Sequence, residues 1–185
     1  MNRILITGST GHLGKETIKH LLNRVSHKNI VAFARDIERA KEFEKDNIEV
    51  CQGNFDDIAS LDHAMLGINK VLLISGMDAN RLQQHKNIIN AAKRAEVKHI
   101  VYTGVALKSK DGTALRDFMG GHFDTEEYII ESGIDYTFMR NSLYAELLPD
   151  FTGTKPFENG ILLQQGTGKC RLHSVVKSPR QQQMF

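Results

Sequence analysis

The chain is poor in residues that staple, kink or anchor a protein. Its 185 residues include two cysteines, three prolines and no tryptophan. Cys51 and Cys170 show neither metal nor redox spacing, which argues against a zinc site, a dithiol centre or a disulfide framework. Two reduced thiols fit a cytoplasmic protein. No apolar run approaches the ~20 residues needed to span a bilayer. The N-terminus runs straight into a strand pattern rather than a signal peptide, so no membrane association is expected. An excess of one charge is also missing: 24 Lys and Arg face 22 Asp and Glu, for a net charge of +2. The basic residues are spread along the chain, which gives no electrostatic case for nucleic acid. The eight histidines form no ligand-like cluster, so no metal is expected.

What is present is an alternation of two periods. Apolar runs at Ile4–Ile6, Ile30–Ala34, Ile48–Cys51, Lys70–Ser75, His99–Thr103 and Asp135–Arg140 read as six strands. Between them lie helical patterns. Leu13, Thr17, Ile18, Leu21, Leu22 and Val25 share one face, Ile37–Lys45 is a charged surface helix, and Ala59–Met65 has Asp57 or Ser60 as its cap. Leu82, His85, Ile88, Ile89 and Ala92 mark a long helix, and Leu115–Ser132 ends at Gly133. Near-continuous apolar strands separated by helices predict a parallel sheet covered on both faces: an α/β, doubly wound Rossmann-type fold. With 41% hydrophobic and 25% charged residues, the chain is long enough for one domain with a substantial core.

The most informative segment follows the first strand: Thr7-Gly8-Ser9-Thr10-Gly11-His12-Leu13-Gly14. Glycines at every third position between a strand and a helix turn the chain tightly. They let backbone N–H groups approach a pyrophosphate and let helix and strand pack closely. Gly8, Ser9, Thr10, Gly11, His12, Leu13 and Gly14 are therefore the expected phosphate-binding residues; a plain βα turn is the alternative. Arg35 stands at the end of the second strand, where an NAD-binding protein usually places an acid for the ribose 2′-hydroxyl. An arginine there can clamp the 2′-phosphate of NADP. Asp36 follows it directly and keeps NAD(H) open beside the preferred NADP(H); a merely solvated Arg35 is the bland alternative.

The glycine motif resembles that of the extended and atypical short-chain dehydrogenase/reductases. Three later blocks narrow the resemblance to the NmrA-like branch, and to its type 2 NAD(P)H:quinone oxidoreductases and triphenylmethane reductases. These are Leu72–Gly76, Val97–Gly104 and Ser132-Gly133-Ile134-Asp135-Tyr136-Thr137-Phe138-Met139-Arg140-Asn141-Ser142-Leu143-Tyr144. The resemblance implies that Arg35 is a 2′-phosphate ligand. It also implies that Ser75, Gly76 and Met77 line the cofactor, and that Asn141, Ser142, Leu143, Tyr144, Ala145 and Glu146 line the nicotinamide and substrate side. The block Asn54-Phe55-Asp56-Asp57 would lie against the adenine, with Asn54 in place of an acid; helix capping by Asp56 or Asp57 is the equal alternative.

Thr103 offers the only hydroxyl where short-chain dehydrogenases place a catalytic serine. Their Tyr-x-x-x-Lys pair is absent from the chain, which argues against an ordinary alcohol dehydrogenase or sugar epimerase. Hydride delivery to an acceptor that needs little protein acid is compatible with that absence. Two residues are candidate catalytic groups. His122, one turn before Glu126, would be a proton donor, or else half of a surface pair. Tyr144 would stack on or protonate a flat acceptor, or merely pack.

The expected function is an NADP(H)-dependent reductase of a small quinone-like or dye-like aromatic substrate. The alternative is a non-catalytic, NADP-binding redox sensor of the NmrA type. The expected organisation is a cofactor domain over 1–145, the start of a substrate-binding region over 146–176 and an atypical tail over 177–185, which reads as a C-terminal truncation. A homodimer is the assembly held open beside a monomer.

Overall fold

The computed structural model describes residues 2–76, 78–106 and 116–142, without the side chains of 116–119. The chain divides into two compact units, Met1–Arg140 and Asn141–Phe185, and the described residues belong almost wholly to the first.

Six strands form one sheet: β1 (Ile4–Ile6), β2 (Ile30–Ala34), β3 (Glu49–Gln52), β4 (Lys70–Leu73), β5 (His99–Val105) and β6 (Asp135–Asn141). Their order is β3-β2-β1-β4-β5-β6, the doubly wound order in which the strand sequence reverses between β1 and β4. Register places Ile4 beside both Ile30 and Lys70, and Lys70 beside His99, all parallel. The helices are α1 (His12–Leu21), α2 (Ile37–Ala40), α3 (Ile58–Ala64), α4 (Arg81–Arg94) and α5 (Arg116–Ser132). Among the described residues no helix is long and apolar enough to cross a membrane.

The continuous apolar run of β2 follows from the two-sided covering. Ile30, Ala32 and Ala34 face one core with Ile18 and Leu21 of α1 and with Ala40 and Phe43. Val31 and Phe33 face the other, with Leu61 of α3, Ile88 and Ile89 of α4, and Ile129 of α5. A strand buried on both sides has no place for polar alternation.

Several expected elements differ in extent: β4, expected over 70–75, ends at Leu73, and the first helix, expected to reach Val25, ends at Leu21. The helix expected over 37–45 is one α-turn, Ile37–Ala40, followed by a 3-10 stretch, Lys41–Asp46. Ala40 and Phe43, three residues apart, both face the core, and Asn47 in the left-handed region (φ 52°) ends the 3-10 stretch. The fifth strand runs two residues further than expected, to Val105, carrying Thr103 and Gly104 inside the sheet. Gly133 does end α5, at φ +76°, its N–H donating to the Ile130 carbonyl at 3.2 Å.

Candidate nucleotide site and the polar cluster behind it

The site begins at the carboxyl end of β1, beside the strand reversal. Gly8 adopts φ +58°, a left-handed conformation that favours glycine, and its carbonyl accepts the Gly11 N–H at 3.0 Å to close the turn. Gly14 is required by space: a Cβ there would lie 2.7 Å from Ser9 Cα, a backbone atom that cannot swing aside. Ser9 is fully buried and its hydroxyl donates to the Phe33 carbonyl at 2.9 Å, tying the turn to β2. Thr7 ties it to β4, donating to Leu72 O at 3.2 Å and accepting the Ile74 N–H at 2.9 Å. Gly11 caps α1 without any side chain, and no acid occupies the first turn. The N–H groups of His12 and Leu13 therefore meet no side-chain cap, the condition an anion at a helix N-terminus needs.

An open cleft of about 460 Å³ lies at the ends of β2 and β3, lined by Arg35, Gln52, Gly53, Asn54, Asp57 and Ser60. Arg35 is exposed and has no partner among the described residues. Asp36 is engaged elsewhere: its Oδ1 accepts the N–H groups of Glu38 at 2.9 Å and Arg39 at 3.3 Å, capping α2. The acid that kept NAD(H) open is thus a helix cap. Arg39, which the sequence did not single out, reaches back to the glycine turn and donates to the Thr10 carbonyl at 3.2 Å.

The block after β3 is held from within. Asn54 Oδ1 accepts the N–H groups of Asp56 at 2.8 Å and Asp57 at 2.9 Å. Asp57 caps α3 through the Ser60 N–H at 3.2 Å, so of the two capping acids considered it is Asp57 that caps. Asp56 accepts from Gln84 of α4 at 2.9 Å, and Phe55 stacks on Phe33 with centroids 5.9 Å apart.

At the ends of β4 and β5, the Thr103 hydroxyl accepts the Ser75 N–H at 2.9 Å, and Thr103 is buried. Its oxygen works inside the sheet. A Cβ on Gly76 would meet nothing within 4 Å, so no described protein atom demands glycine there. The Gly76 carbonyl accepts from Arg81 Nη1 at 3.3 Å. Asn141 and Ser142 are half-buried at the end of β6. Met77, Leu143, Tyr144, Ala145 and Glu146 lie outside the described residues.

Behind this edge sits a polar cluster that periodicity did not reveal. Tyr102 is fully buried, and its hydroxyl lies 2.8 Å from His122 Nδ1. Burial pushes its phenol up to about 12. Thr125 donates to the Gly121 carbonyl at 2.7 Å, so at 2.9 Å it must accept from His85 Nδ1–H. That fixes the His85 tautomer and leaves its Nε2 as a buried lone pair with no hydrogen-bond partner among the described residues. Burial, then the buried Arg81 cation, lowers both imidazoles: His85 to about 3 and His122 to about 4. Both are neutral at pH 7.

The expected His122–Glu126 contact is not made. Glu126 is buried and takes Arg140 as a two-pronged partner, Nε to Oε1 at 3.0 Å and Nη2 to Oε2 at 2.5 Å. A buried carboxylate is better satisfied by a charged fork than by a neutral ring. Among the described residues no group of three or more His, Cys, Asp or Glu side chains could hold a metal.

A positive-φ glycine turn, a helix N-terminus without a side-chain cap and an arginine with no partner among the described residues beside a cleft are features that suit a dinucleotide. An NAD(P)H-binding family model matches residues 8–153. Quinone oxidoreductase 2 of Escherichia coli strain K12 is 38% identical over 170 residues, covering 90% of this chain and 57% of the relative. The structure of the E. coli NADPH-dependent quinone oxidoreductase with NADPH superposes with a TM-score of 0.74 at 39% identity, over 83% of this chain and 53% of that one. The Citrobacter sp. triphenylmethane reductase with NADP(H) gives 0.72 at 38% identity, over 78% and 51%. The chain thus spans little more than half the length of these relatives. By the family match and the relatives' identity, the chain belongs to the NAD(P)H-binding family.

Proposed function

We propose that this chain is the cofactor-holding part of an NADP(H)-dependent oxidoreductase that acts in the cytoplasm and passes hydride to a quinone-like or aromatic dye-like acceptor. The observation that supports the NADP(H) reading is the division of labour at the end of β2: Arg35 lies beside the cleft with no partner among the described residues, while Asp36 is spent as a cap. In this reading the α1 N-terminus and the Gly8–Gly14 backbone take the pyrophosphate. Arg35 takes the 2′-phosphate, with Arg39 adding charge nearby. Ser75 and Gly76 line the ribose side, and the segment after β6, with Tyr144, orients the acceptor. The bound nicotinamide supplies the hydride; the protein binds, orients and excludes water.

Support for the acceptor class comes from the activities named for the two relatives and from the absence of Tyr-x-x-x-Lys. Fluorescence titration with NADPH and NADH tests the cofactor. Charge-assisted hydrogen bonds contribute about 1.5–3 kcal/mol, so Arg35→Ala should weaken NADPH roughly 10- to 100-fold. NADH binding should be unchanged. Equal loss for both cofactors, or none for either, refutes the assignment. Tight NADPH binding without turnover of any quinone or dye would instead favour the redox-sensing regulator.

A further inference from the structure

Two threonines, one on each side, clasp β4 where it leaves the sheet. Register pairs Leu72 with Ile6 of β1 and Leu73 with Tyr102 of β5. The next N–H groups along the chain are those of Ile74 and Ser75. In a continuing parallel ladder each would donate to a main-chain carbonyl of a flanking strand. Instead Ile74 donates to the Thr7 hydroxyl on one side and Ser75 to the Thr103 hydroxyl on the other, both at 2.9 Å. Thr7 and Thr103 directly follow Ile6 and Tyr102 in the flanking chains. Both are buried, and each hydroxyl turns its own proton back to β4. Thr7 donates to the Leu72 carbonyl at 3.2 Å, and Thr103 faces that of Leu73 at 3.5 Å. A side-chain oxygen holds the departing chain further out than a carbonyl would. β4 therefore ends at Leu73 while β5 runs on to Val105.

The two clasps face different parts of the crevice. On the β1 side Ile74 lies against the glycine turn, where a Cβ on Gly8 would come 3.2 Å from Ile74 Cβ. On the β5 side Ser75 and Gly76 lie across the strand reversal from the Arg35 cleft, which is at the ends of β2 and β3. Packing does little to hold them, because a Cβ on Gly76 would meet nothing within 4 Å among the described residues. Their place is set by polar tethers: Thr103 on the Ser75 N–H and Arg81 on the Gly76 carbonyl, the latter at 3.3 Å. Thr103 is itself well anchored. Tyr102 before it is fully buried, and at Gly104 after it a Cβ would approach Glu126 Oε1 to 3.0 Å.

We propose that Thr103 is a positioning residue for the nicotinamide half of the cofactor, a role that rests on the NADP(H) reading above. A dinucleotide lies across the strand reversal, so one with its 2′-phosphate at Arg35 carries its other nucleoside over the ends of β4 and β5. By holding the Ser75 N–H, Thr103 fixes the Ser75–Gly76 backbone that this nucleoside meets. Both functions of its hydroxyl are committed to the main chain, so it orients the wall and transfers no proton.

Thr103→Val removes the hydroxyl and keeps the shape, whereas Thr103→Ser keeps the hydroxyl. NADPH would be titrated into the 185-residue chain and both variants, beside adenosine 2′,5′-bisphosphate, which has the 2′-phosphate but no nicotinamide. Thr103→Val should weaken NADPH about 10-fold, the size of one net hydrogen bond, and change the bisphosphate less than about twofold. Thr103→Ser should restore NADPH binding. Equal weakening of both ligands, as a general loss of structure would give, overturns the positioning role; so does unchanged NADPH binding in Thr103→Val. Either result leaves the cofactor reading intact, whereas a wild-type chain that binds neither ligand overturns that reading and the positioning role with it. Amide hydrogen exchange followed by NMR needs neither ligand. The Ser75 N–H of the wild type should be protected, and in Thr103→Val it should exchange about 10-fold faster while Ile74, held by Thr7, is unchanged. An unprotected Ser75 N–H in the wild type overturns the proposal.

Discussion

Acid should destabilise this protein above the range in which carboxylates protonate, because of His85. Its ring is buried at 1% exposure, with Nδ1–H committed to Thr125 and a buried cation, Arg81, nearby. Burial first, then Arg81 and His122, pushes its pKa from 6.5 down to about 3. Between those values the unfolded chain binds a proton that the native state refuses. Stability therefore rises with pH in this window: the contribution is complete above pH 6.5 and is lost progressively as pH falls towards 3. Each pH unit below 6.5 costs about 1.4 kcal/mol, so His85 alone should remove about 2 kcal/mol by pH 5. That is a large share of a typical stability of about 5–15 kcal/mol. His122, lowered to about 4, acts in the same direction but by less, because it is partly exposed and water screens it. The check is urea unfolding at pH 8 and pH 5 for the wild type and His85→Asn. Asparagine keeps a donor for Thr125 but does not titrate. Its absolute stability will differ, but its pH 8 to pH 5 difference should be smaller by about 2 kcal/mol. Identical pH differences in the two proteins would refute the argument.

Two further predictions concern packing and charge. In Gly14→Ala the new Cβ meets backbone atoms of Ser9 at 2.7 and 2.8 Å, whereas in Gly120→Ala it meets nothing within 4 Å. Thermal melts should show the first destabilised by about 1–3 kcal/mol and the second, in mid-helix, stabilised by about 0.5–1 kcal/mol. In Arg140→Ala the Glu126 carboxylate, 5% exposed, loses its two-pronged partner. Urea unfolding should show a loss of up to about 3 kcal/mol, discounted because Arg140 is half exposed, and Glu126→Gln in the same chain should recover most of it.

The parts of the site readable from sequence are those whose cause is local. Gly8 and Gly14 are needed by the turn that contains them, and Arg35 is placed by the end of β2. Asp57 is identified as a cap by the helix it precedes. The α2 region differs from the regular helix that its spacing predicts: Ala40 and Phe43, three residues apart, would share a core face in either winding, and nothing in the sequence marks the change to 3-10 at Lys41. The His122–Glu126 pair shows the limit most clearly. One helical turn brings the two residues near each other, but proximity along a helix decides pairing only when neither side chain has a better partner across space. Glu126 has Arg140 from β6, and His122 has Tyr102 from β5. The cluster of His85, Tyr102, His122 and Thr125 is assembled from α4, β5 and α5, elements that meet only after the sheet has closed. In the sequence, His85 sits on the apolar face of a helix and Tyr102 in an apolar strand, both indistinguishable from core positions, and in packing terms that is what they are. Their chemistry arises because the fold brings polar atoms of core residues to within hydrogen-bond distance of one another, behind the carboxyl edge of the sheet. The candidate cofactor cradle is therefore written in short motifs, whereas any proton chemistry must be sought in contacts that no motif contains.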